Sequence, residues 1–494
     1  MEDSIEKTSQ SDKSASVPLS DESLKVTPPQ TWTAAEERRA RRKVDLSVLP
    51  LLVLGLLVFQ LDRMNLASAL TAGFAADIGV DQETINLGNQ LMFLGIVVLE
   101  IPCNMLLQRV GPRRWIPGQV LLFGTVAALQ VFIRNRAGFL ASRICLGLAE
   151  AGYIPGAMYT VSTWYRRGEL ARRIAFLFFG MFGGNALSPL LASGILKLDG
   201  ARGVRGWQWL FLLEGLFTMM VSVMIYLLLP GSPYTPKPLG SAGLIRFSEL
   251  EQILLQKRLE NDRSEIGQGV KSTRIPLKLV WKTVTHYKRW PHFVSTFCVF
   301  STWTPLMTYT PSIIMSLGFE RIAANALAAV GASLALPVVF AFAYLSDRTN
   351  RRGLCVIAAQ LCYLVTLITI RSVHPHVGKW PRWVLWTVVN AFSVGYHPVH
   401  NSWVQLNCKE PRERSISICM WVMSAITGNM VGTQYFRGDD VPFYHNGLRT
   451  MIIMVSVGIF FAILQVMIYR NHNGRAASDE RKATDGEEPM IYTP

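Results

Sequence analysis

Apolar runs about as long as a bilayer is thick recur along this chain and restrict what it can fold into. A membrane-spanning helix needs about 20 mostly apolar residues. Twelve segments of about this length occur among the 494 residues. They are Val44–Leu66, Leu87–Leu107, Ile116–Ile133, Phe139–Trp164, Ile174–Leu196, Trp207–Leu229, Phe293–Leu317, Ile322–Leu345, Leu354–Ile370, Trp383–Leu406, Ser415–Tyr435 and Leu448–Tyr469. We therefore predict an all-α membrane protein with twelve transmembrane helices, numbered below as spans 1 to 12.

One long polar gap divides these spans into two sets of six. The gap, residues 230–290, separates a predicted N-terminal six-helix bundle at 44–229 from a C-terminal one at 291–470, an arrangement typical of repeat-built secondary transporters. Apolar residues recur at helical spacing around Leu254 within the gap, which predicts an amphipathic cytosolic helix. The polar ends at 1–43 and 471–494 are predicted to be disordered cytosolic tails.

The placement of Lys and Arg indicates the orientation. Five basic residues between Arg38 and Lys43 precede the first span, which predicts a cytosolic N-terminus. With an even number of spans, the C-terminus is expected on the same side. We expect a multi-pass protein of the plasma membrane that works as a monomer. Basic loops facing anionic lipid explain most of the net charge of +15 without a nucleic acid partner.

Charged residues lie inside several apolar spans. They are Asp62 and Arg63 in span 1, Glu100 in span 2, and Arg143 and Glu150 in span 4. A charge at membrane depth costs several kcal/mol, roughly 2.5–3.5 on insertion scales, unless it has a partner or faces a wet cavity. Arg143 and Glu150 are seven residues apart and share one helix face. These residues predict a polar path in which carboxylates carry protons and guanidiniums hold an anion. The alternative is that the charged pairs only hold neighbouring helices together.

The second half offers aromatic and amide groups rather than charges. Candidates to line a central cavity are Trp303, Tyr309, Asn390, His397, His400, Asn401 and Asn429, although each could equally be a satisfied interior polar group. His397 and His400 lack Cys or acidic partners at metal-ligand spacing, so neither a metal nor another cofactor is expected. The chain has no phosphate-binding G-x-x-x-x-G-K-[ST] loop and no G-x-S-x-G elbow, which argues against an ATP-driven pump and against an enzyme.

Two basic loops carry a recognisable pattern. Ala343 to Arg352, after span 8, resembles the G-x-x-x-D-R-x-G-R-R loop of the major facilitator superfamily, with Ala343 and Asn350 in place of glycines. Asn104 to Arg114, after span 2, keeps the same spacing with Gln108 in place of the acid. The resemblance implies conformational loops that favour an outward-facing state. Their residues are Gln108, Arg109, Gly111, Arg113, Asp347, Arg348 and Arg351.

Further motifs are similar to the anion:cation symporter family, in particular its fungal allantoate permease-like branch. They include Leu61-Asp-Arg-Met-Asn65, Glu100-Ile-Pro102, Arg143 to Gly152, and Gly206 to Gly215. This resemblance links Asp62 and Glu150 to proton coupling and Arg63 and Arg143 to the substrate carboxylate, and Glu100 is a possible third titrating group.

The function expected from this resemblance is proton-coupled symport of a small carboxylated organic anion, such as allantoate, a vitamin or an amino-acid-like carboxylate, by alternating access. Two alternatives remain. One is an exporter or facilitator of a fungal metabolite in the same fold. The other is a nutrient sensor that does not transport.

Overall fold

The computed structural model describes residues 32–240, 243, 245–264, 277–408, 411–480 and 492–493. Residues 1–31 of the predicted N-terminal tail, and residues 481–491 and 494 of the predicted C-terminal tail, lie outside the described part. The first half contains nine helices, which are α1 (Ala34–Ser47), α2 (Leu49–Thr71), α3 (Phe74–Asp77), α4 (Gln82–Val110), α5 (Pro112–Leu129), α6 (Arg136–Glu150), α7 (Tyr153–Trp164), α8 (Arg167–Ile195) and α9 (Gly206–Leu228).

The central segment and the second half contribute ten more helices. Those of the central segment are α10 (Glu249–Ser264) and α11 (Leu277–Val284). Those of the second half are α12 (Trp290–Phe300), α13 (Trp303–Ser316), α14 (Arg321–Thr349), α15 (Arg352–Val373), α16 (Lys379–Phe392), α17 (His397–Leu406), α18 (Pro411–Gly432) and α19 (His445–Glu480). The all-α fold class is confirmed.

The helices agree with twelve spans. Nine helices of the described part are long and apolar enough to cross a membrane. Spans 7 and 10, which are each broken into two helices, α12–α13 and α16–α17, are not among these nine. Span 11 contains a shorter apolar helix, Ile416–Gly432. The twelve-span topology is therefore consistent with the structure.

Three spans are broken at the same distance before a proline. The breaks fall between α6 and α7, between α12 and α13, and between α16 and α17. Proline lacks an N–H, and its ring clashes with the carbonyl four residues earlier. Four residues before Pro155, Pro305 and Pro398 are Ala151, Ser301 and Val394, which all lie in the breaks. Since the cost of unpaired backbone at membrane depth is high, such breaks are tolerated only inside protein or beside a cavity.

Close helix contacts hold each half together. In the first half α4 packs on α6, and α2 packs on α8 and α9. The α4–α6 contact depends on Gly147, because a Cβ at this position would lie 2.0 Å from the carbonyl oxygen of Met92. In the second half α12 packs on α18 and α19.

The predicted boundary of the N-terminal tail is wrong for residues 34–43. Helix α1 begins at Ala34 because Thr33 and Glu36 form a capping box in which each side chain binds the other residue's backbone N–H. Ion pairs then fix α1 to α10, including Lys43 to Glu251 at 2.7 Å and Arg258 to Glu37 at 2.8 Å. The C-terminal boundary is wrong as well, since α19 continues to Glu480.

The two ends of the bundle differ in how the halves meet. We call the end with α1, α10, the end of α19 and the loops at Gly111 and Asn350 the basic face, and the opposite end the far face. Polar contacts between the halves cluster at the far face. They are Arg321–Asp199 (2.8 Å), Asn325–Thr71 (2.8 Å), Tyr309–Asn86 (2.5 Å), Asn86–Phe436 (2.8 Å) and Gln82–Phe436 (3.1 Å). The described contacts therefore hold the far face closed.

Candidate functional site

A cavity of about 980 Å³ lies between the halves, directly on the basic side of this closure. Asn89, which lines it, lies about one helical turn after Asn86 of the closure, and Thr308, which also lines it, directly precedes Tyr309. Both halves contribute to its wall. It contains seven of the predicted site residues, Arg63, Glu100, Arg143, Glu150, Trp303, His397 and Asn429.

Arg63 and Glu150 form an ion pair in this cavity. The Arg63 Nε–H donates to Glu150 Oε2 at 2.7 Å, and the guanidinium lies over the ring of Phe59 at 4.1 Å. The side chain of Glu150 is fully buried. Its other oxygen, Oε1, lacks a hydrogen-bond partner among the described residues. Arg63 is thus held by both Glu150 and Phe59, whereas one oxygen of the Glu150 carboxylate is left without a hydrogen bond.

Two nitrogens of the Arg143 guanidinium have no hydrogen-bond partner. Its Nη2 donates to Asn89 Oδ1 at 2.6 Å and contacts the sulfur of Met92 at 3.0 Å. Its Nε and Nη1 have no partner within the described part of the chain, although the residue is 1% exposed. Asn89 in turn donates to Thr308 Oγ1 of the second half at 3.3 Å. A buried cation with free N–H groups at a cavity wall can donate hydrogen bonds to an anion and so bind it.

The break in span 4 brings a second acid to the same place. Gly152 has a φ of +82°, a left-handed conformation that glycine adopts without strain. Its N–H donates to Glu100 Oε2 at 2.8 Å. Glu100 thereby joins α4 to the start of α7. The residue that it binds, Gly152, lies two positions after Glu150. The Glu100 carboxylate can therefore stabilise the break in span 4 as well as bind a proton.

Asp62 does not line the cavity. The sequence had predicted that it belongs to the same polar path as its neighbour Arg63. Adjacent residues of a helix point in different directions, so Asp62 turns towards α9, where Thr218 donates to its Oδ1 at 3.3 Å. Nearby on α9, Glu214 accepts from the amide of Asn65. Asp62 and Glu214 are 0% and 2% exposed. Sequence reasoning missed Glu214 as a site candidate, although a glutamate in the middle of an apolar span was the signal.

Four candidates of the second half lie elsewhere. Tyr309 belongs to the far-face closure. Asn390 hydrogen bonds Thr310 and lines a second cavity of about 500 Å³. His400 packs against His292, with ring nitrogens 3.1 Å apart. Asn401 accepts from Gln405 at 3.1 Å. Each of these four residues already has a polar partner, as is usual for polar groups in a protein interior.

The remaining wall of the main cavity is mostly apolar. The large side chains are Phe59, Met64, Met92, Phe93, Phe178, Met181, Phe300, Trp303, Met307 and Trp421. Two of the amides at the wall already have partners: Asn429 accepts from Thr304 at 3.1 Å and Gln60 donates to Asn185 at 2.7 Å. The arrangement combines one free guanidinium with a broad apolar surface.

The two signature loops are exposed in this state. The Asp347 side chain is 71% exposed and pairs with Arg352 of its own loop at 3.1 Å. Asn350 has a φ of +53°, which explains the preference of this position for glycine. Gly111 likewise has a φ of +88°, and Arg113 donates to the Lys237 carbonyl of the central segment at 3.3 Å. The role of these loops in switching remains a prediction.

Comparison with known proteins supplies the family. Residues 52–433 match the model of the Major Facilitator Superfamily. The chain belongs to this superfamily. An uncharacterized transporter of Saccharomyces cerevisiae is 28% identical over 450 residues, covering 91% of this chain and 83% of the relative. A putative tartrate transporter of Agrobacterium vitis is 26% identical over 375 residues, covering 71% and 78%.

A solved structure supports the fold. A bacterial homolog of the human lysosomal transporter Spinster, in an inward-facing and unoccupied conformation, superposes with a TM-score of 0.62 at 15% identity. The match covers 89% of this chain and 98% of that one. The family match and the similar transporters show that the protein is a membrane transporter of the superfamily type.

Proposed function

We propose that this transporter couples proton movement to the transport of a small carboxylated organic anion. The observation that carries the proposal is the buried Arg143, which leaves Nε and Nη1 without partners at the cavity wall. A guanidinium and an ionised carboxylate form hydrogen bonds in which both partners are charged, whereas a neutral sugar offers no charge to the buried cation.

The Arg63–Glu150 pair supplies a route to proton coupling. While Glu150 is ionised, it occupies Arg63 at 2.7 Å. A proton on Glu150 would remove the attraction and leave Arg63 available as a second partner for the anion. Proton and anion then favour each other's binding, which is the reciprocity that symport requires.

The apolar wall supports a narrower substrate class than the one predicted from the sequence, which included allantoate, vitamins and amino-acid-like carboxylates. A ureido acid carries several amide groups that lose hydrogen bonds with water on entering an apolar pocket, and each loss costs about 1–3 kcal/mol when it is not compensated. Phe93, Trp303 and Trp421 instead suit an apolar or aromatic body. We therefore favour a monocarboxylate with such a body, which also fits export of a metabolite.

The orientation follows from charge. The basic face carries Arg109, Arg113, Arg348 and Arg351 in its loops, and cationic loops remain in the cytosol. We propose that this face and both termini are cytosolic in the plasma membrane, that the cavity is inward-facing in this state, and that the protein works as a monomer.

Uptake into proteoliposomes tests the proposal. Benzoate, phenylacetate, nicotinate and allantoate would be compared, each with its primary amide as the matched neutral control. We expect accumulation of an aromatic acid, and not of its amide, that increases when the proton concentration is higher outside than inside. Equal uptake of acid and amide would contradict the carboxylate site. Uptake of the acid that does not respond to the proton gradient would contradict coupling.

A further inference from the structure

The end of the chain occupies a pocket on the basic face of the second half. Tyr492 and Thr493 lie between the end of α17 and the end of α19. Tyr492 is 5% exposed, although it belongs to the polar C-terminal segment. Tyr492 is thus as buried as a residue of the core, and Thr493 beside it is partly exposed.

Helix α17 binds the backbone of Thr493. The Asn407 amide pairs with both sides of it, because Asn407 Oδ1 accepts from Thr493 N–H at 2.7 Å and Asn407 Nδ2 donates to Thr493 O at 3.1 Å. Trp403 Nε1 donates to the same carbonyl at 2.8 Å. Three hydrogen bonds therefore converge on one residue.

Helix α19 binds Tyr492 in the same manner. Asn473 Oδ1 accepts from Tyr492 N–H at 2.9 Å, and Asn473 Nδ2 donates to Tyr492 O at 2.7 Å. The Tyr492 ring stacks on Tyr469 with centroids 4.5 Å apart and planes 5° from parallel. His472 packs on its edge at 4.8 Å. Asn473 of α19 and Asn407 at the end of α17 thus bind the N–H and C=O of consecutive residues, as the two flanking strands of a β-sheet would.

A buried chain of side chains leads from this pocket towards the cavity. The Tyr469 hydroxyl lies 3.1 Å from His292 Nε2, and His292 Nδ1 lies 3.1 Å from His400 Nε2. His400 is on α17, one turn from His397 at the cavity wall. Because the break before His397 separates α17 from α16, α17 can be held or released as a unit.

We infer that the pocket is a peptide-binding site whose ligand is the chain's own Tyr492–Thr493, and that its occupancy fixes α17 to α19. The recognised chemistry is an extended dipeptide with an aromatic first residue. The backbone of Tyr492 and Thr493 makes all five hydrogen bonds to the two asparagines and the tryptophan, and the stacked ring selects the residue type. This site is separate from the substrate cavity and does not depend on the proposed substrate.

Binding in trans tests the site. The chain shortened to residue 491 would be purified and titrated with a fluorescent Met-Ile-Tyr-Thr-Pro peptide and with a control peptide that has Ala in place of the Tyr. We expect the shortened chain to bind the first peptide at least tenfold more tightly than the second. The full-length chain should bind it at least tenfold more weakly because its site is filled. Equal binding of both peptides would overturn the assignment.

Two variants of the shortened chain identify the pocket. Asn407→Leu removes both bonds to Thr493 and should weaken peptide binding at least tenfold. Asn401→Leu, six residues earlier, in helix α17, and bonded to Gln405, is the matched control and should leave binding unchanged. Full peptide binding by the Asn407 variant would refute the pocket.

Hydrogen exchange tests the consequence for α17. Removing residues 492–494 should speed exchange of the 397–406 amides at least fivefold, and adding the peptide should restore the slow rate. Helix α6 in the first half serves as the internal check on folding and should be unaffected. Unchanged exchange of α17 while the peptide binds would contradict the claim that the tail fixes this helix.

Discussion

Arg143→Lys is the sharpest test of the anion site because it retains the charge and changes the geometry. At Arg143 the free Nε–H and Nη1–H point to different sides of the planar guanidinium, so the directions in which it donates charge-assisted hydrogen bonds are fixed, whereas lysine offers a single ammonium. Losing one charge-assisted hydrogen bond costs about 1.5–3 kcal/mol. At roughly 1.4 kcal/mol for each tenfold change, we expect the KM for the transported carboxylate to rise about 10- to 100-fold.

The assay is initial-rate counterflow in proteoliposomes with the carboxylate that accumulates best, at fixed pH and equal protein abundance. Arg136→Lys on the same helix is the matched control, because Arg136 is exposed at the start of α6. It should leave KM unchanged. If Arg143→Lys transports with normal KM, the guanidinium does not hold the substrate carboxylate, and the reasoning from its unpaired nitrogens is wrong.

Other predictions concern coupling, buried acids, docking of the central segment and packing. Glu150→Gln should abolish accumulation driven by a proton gradient yet retain exchange of internal for external substrate, since an amide resembles the protonated acid; exchange and net uptake, measured side by side, decide this. Glu214→Gln should retain the wild-type unfolding temperature because it can still accept from Asn65, whereas Glu214→Ala should destabilise the protein by about 1–3 kcal/mol by leaving that amide unpaired; a stable alanine variant would contradict the contact. Burial alone would raise the pKa of Glu169, but Arg258, together with Arg41 and Arg173, lowers it below its ordinary value. Its stabilising contribution is therefore full above the ordinary glutamate pKa of about 4.3 and is lost as the pH falls below it, and thermal unfolding followed from neutral to acid pH should lose this step in Glu169→Gln. Gly147→Ala should destabilise the protein by about 1–3 kcal/mol through overpacking, whereas Gly118→Ala, which has open space around it, should not lower the unfolding temperature.

The spans could be predicted because the bilayer requires a minimum length of apolar sequence. The breaks were indicated by Pro155, Pro305 and Pro398, yet similar prolines at 102, 189, 311 and 337 lie within continuous helices. Composition alone does not distinguish the two cases. What decides between them is whether neighbouring side chains and backbone groups can satisfy the freed carbonyl.

The site could be predicted on its charged side and less well on its neutral side. Arg63, Arg143 and Glu150 were identifiable since a charge in an apolar span needs a reason to be there. Whether Asp62 or Arg63 faces the cavity depends on how span 1 is rotated against α9, which a single sequence does not encode locally. Polar neutral residues such as Tyr309 occur both at cavities and at helix contacts, so their placement needs the packed structure.

The division of the cavity wall has a consequence for changing what the protein carries. The charged residues of the wall, Arg63, Glu100, Arg143 and Glu150, all come from the first half. The second half contributes large neutral side chains, including Trp303, Trp421 and Asn429. A mutant library restricted to second-half wall positions other than His397 would therefore vary the shape and polarity offered to the substrate while leaving every ionisable wall residue in place. Selection from such a library could yield new specificities that keep the wild-type driving force.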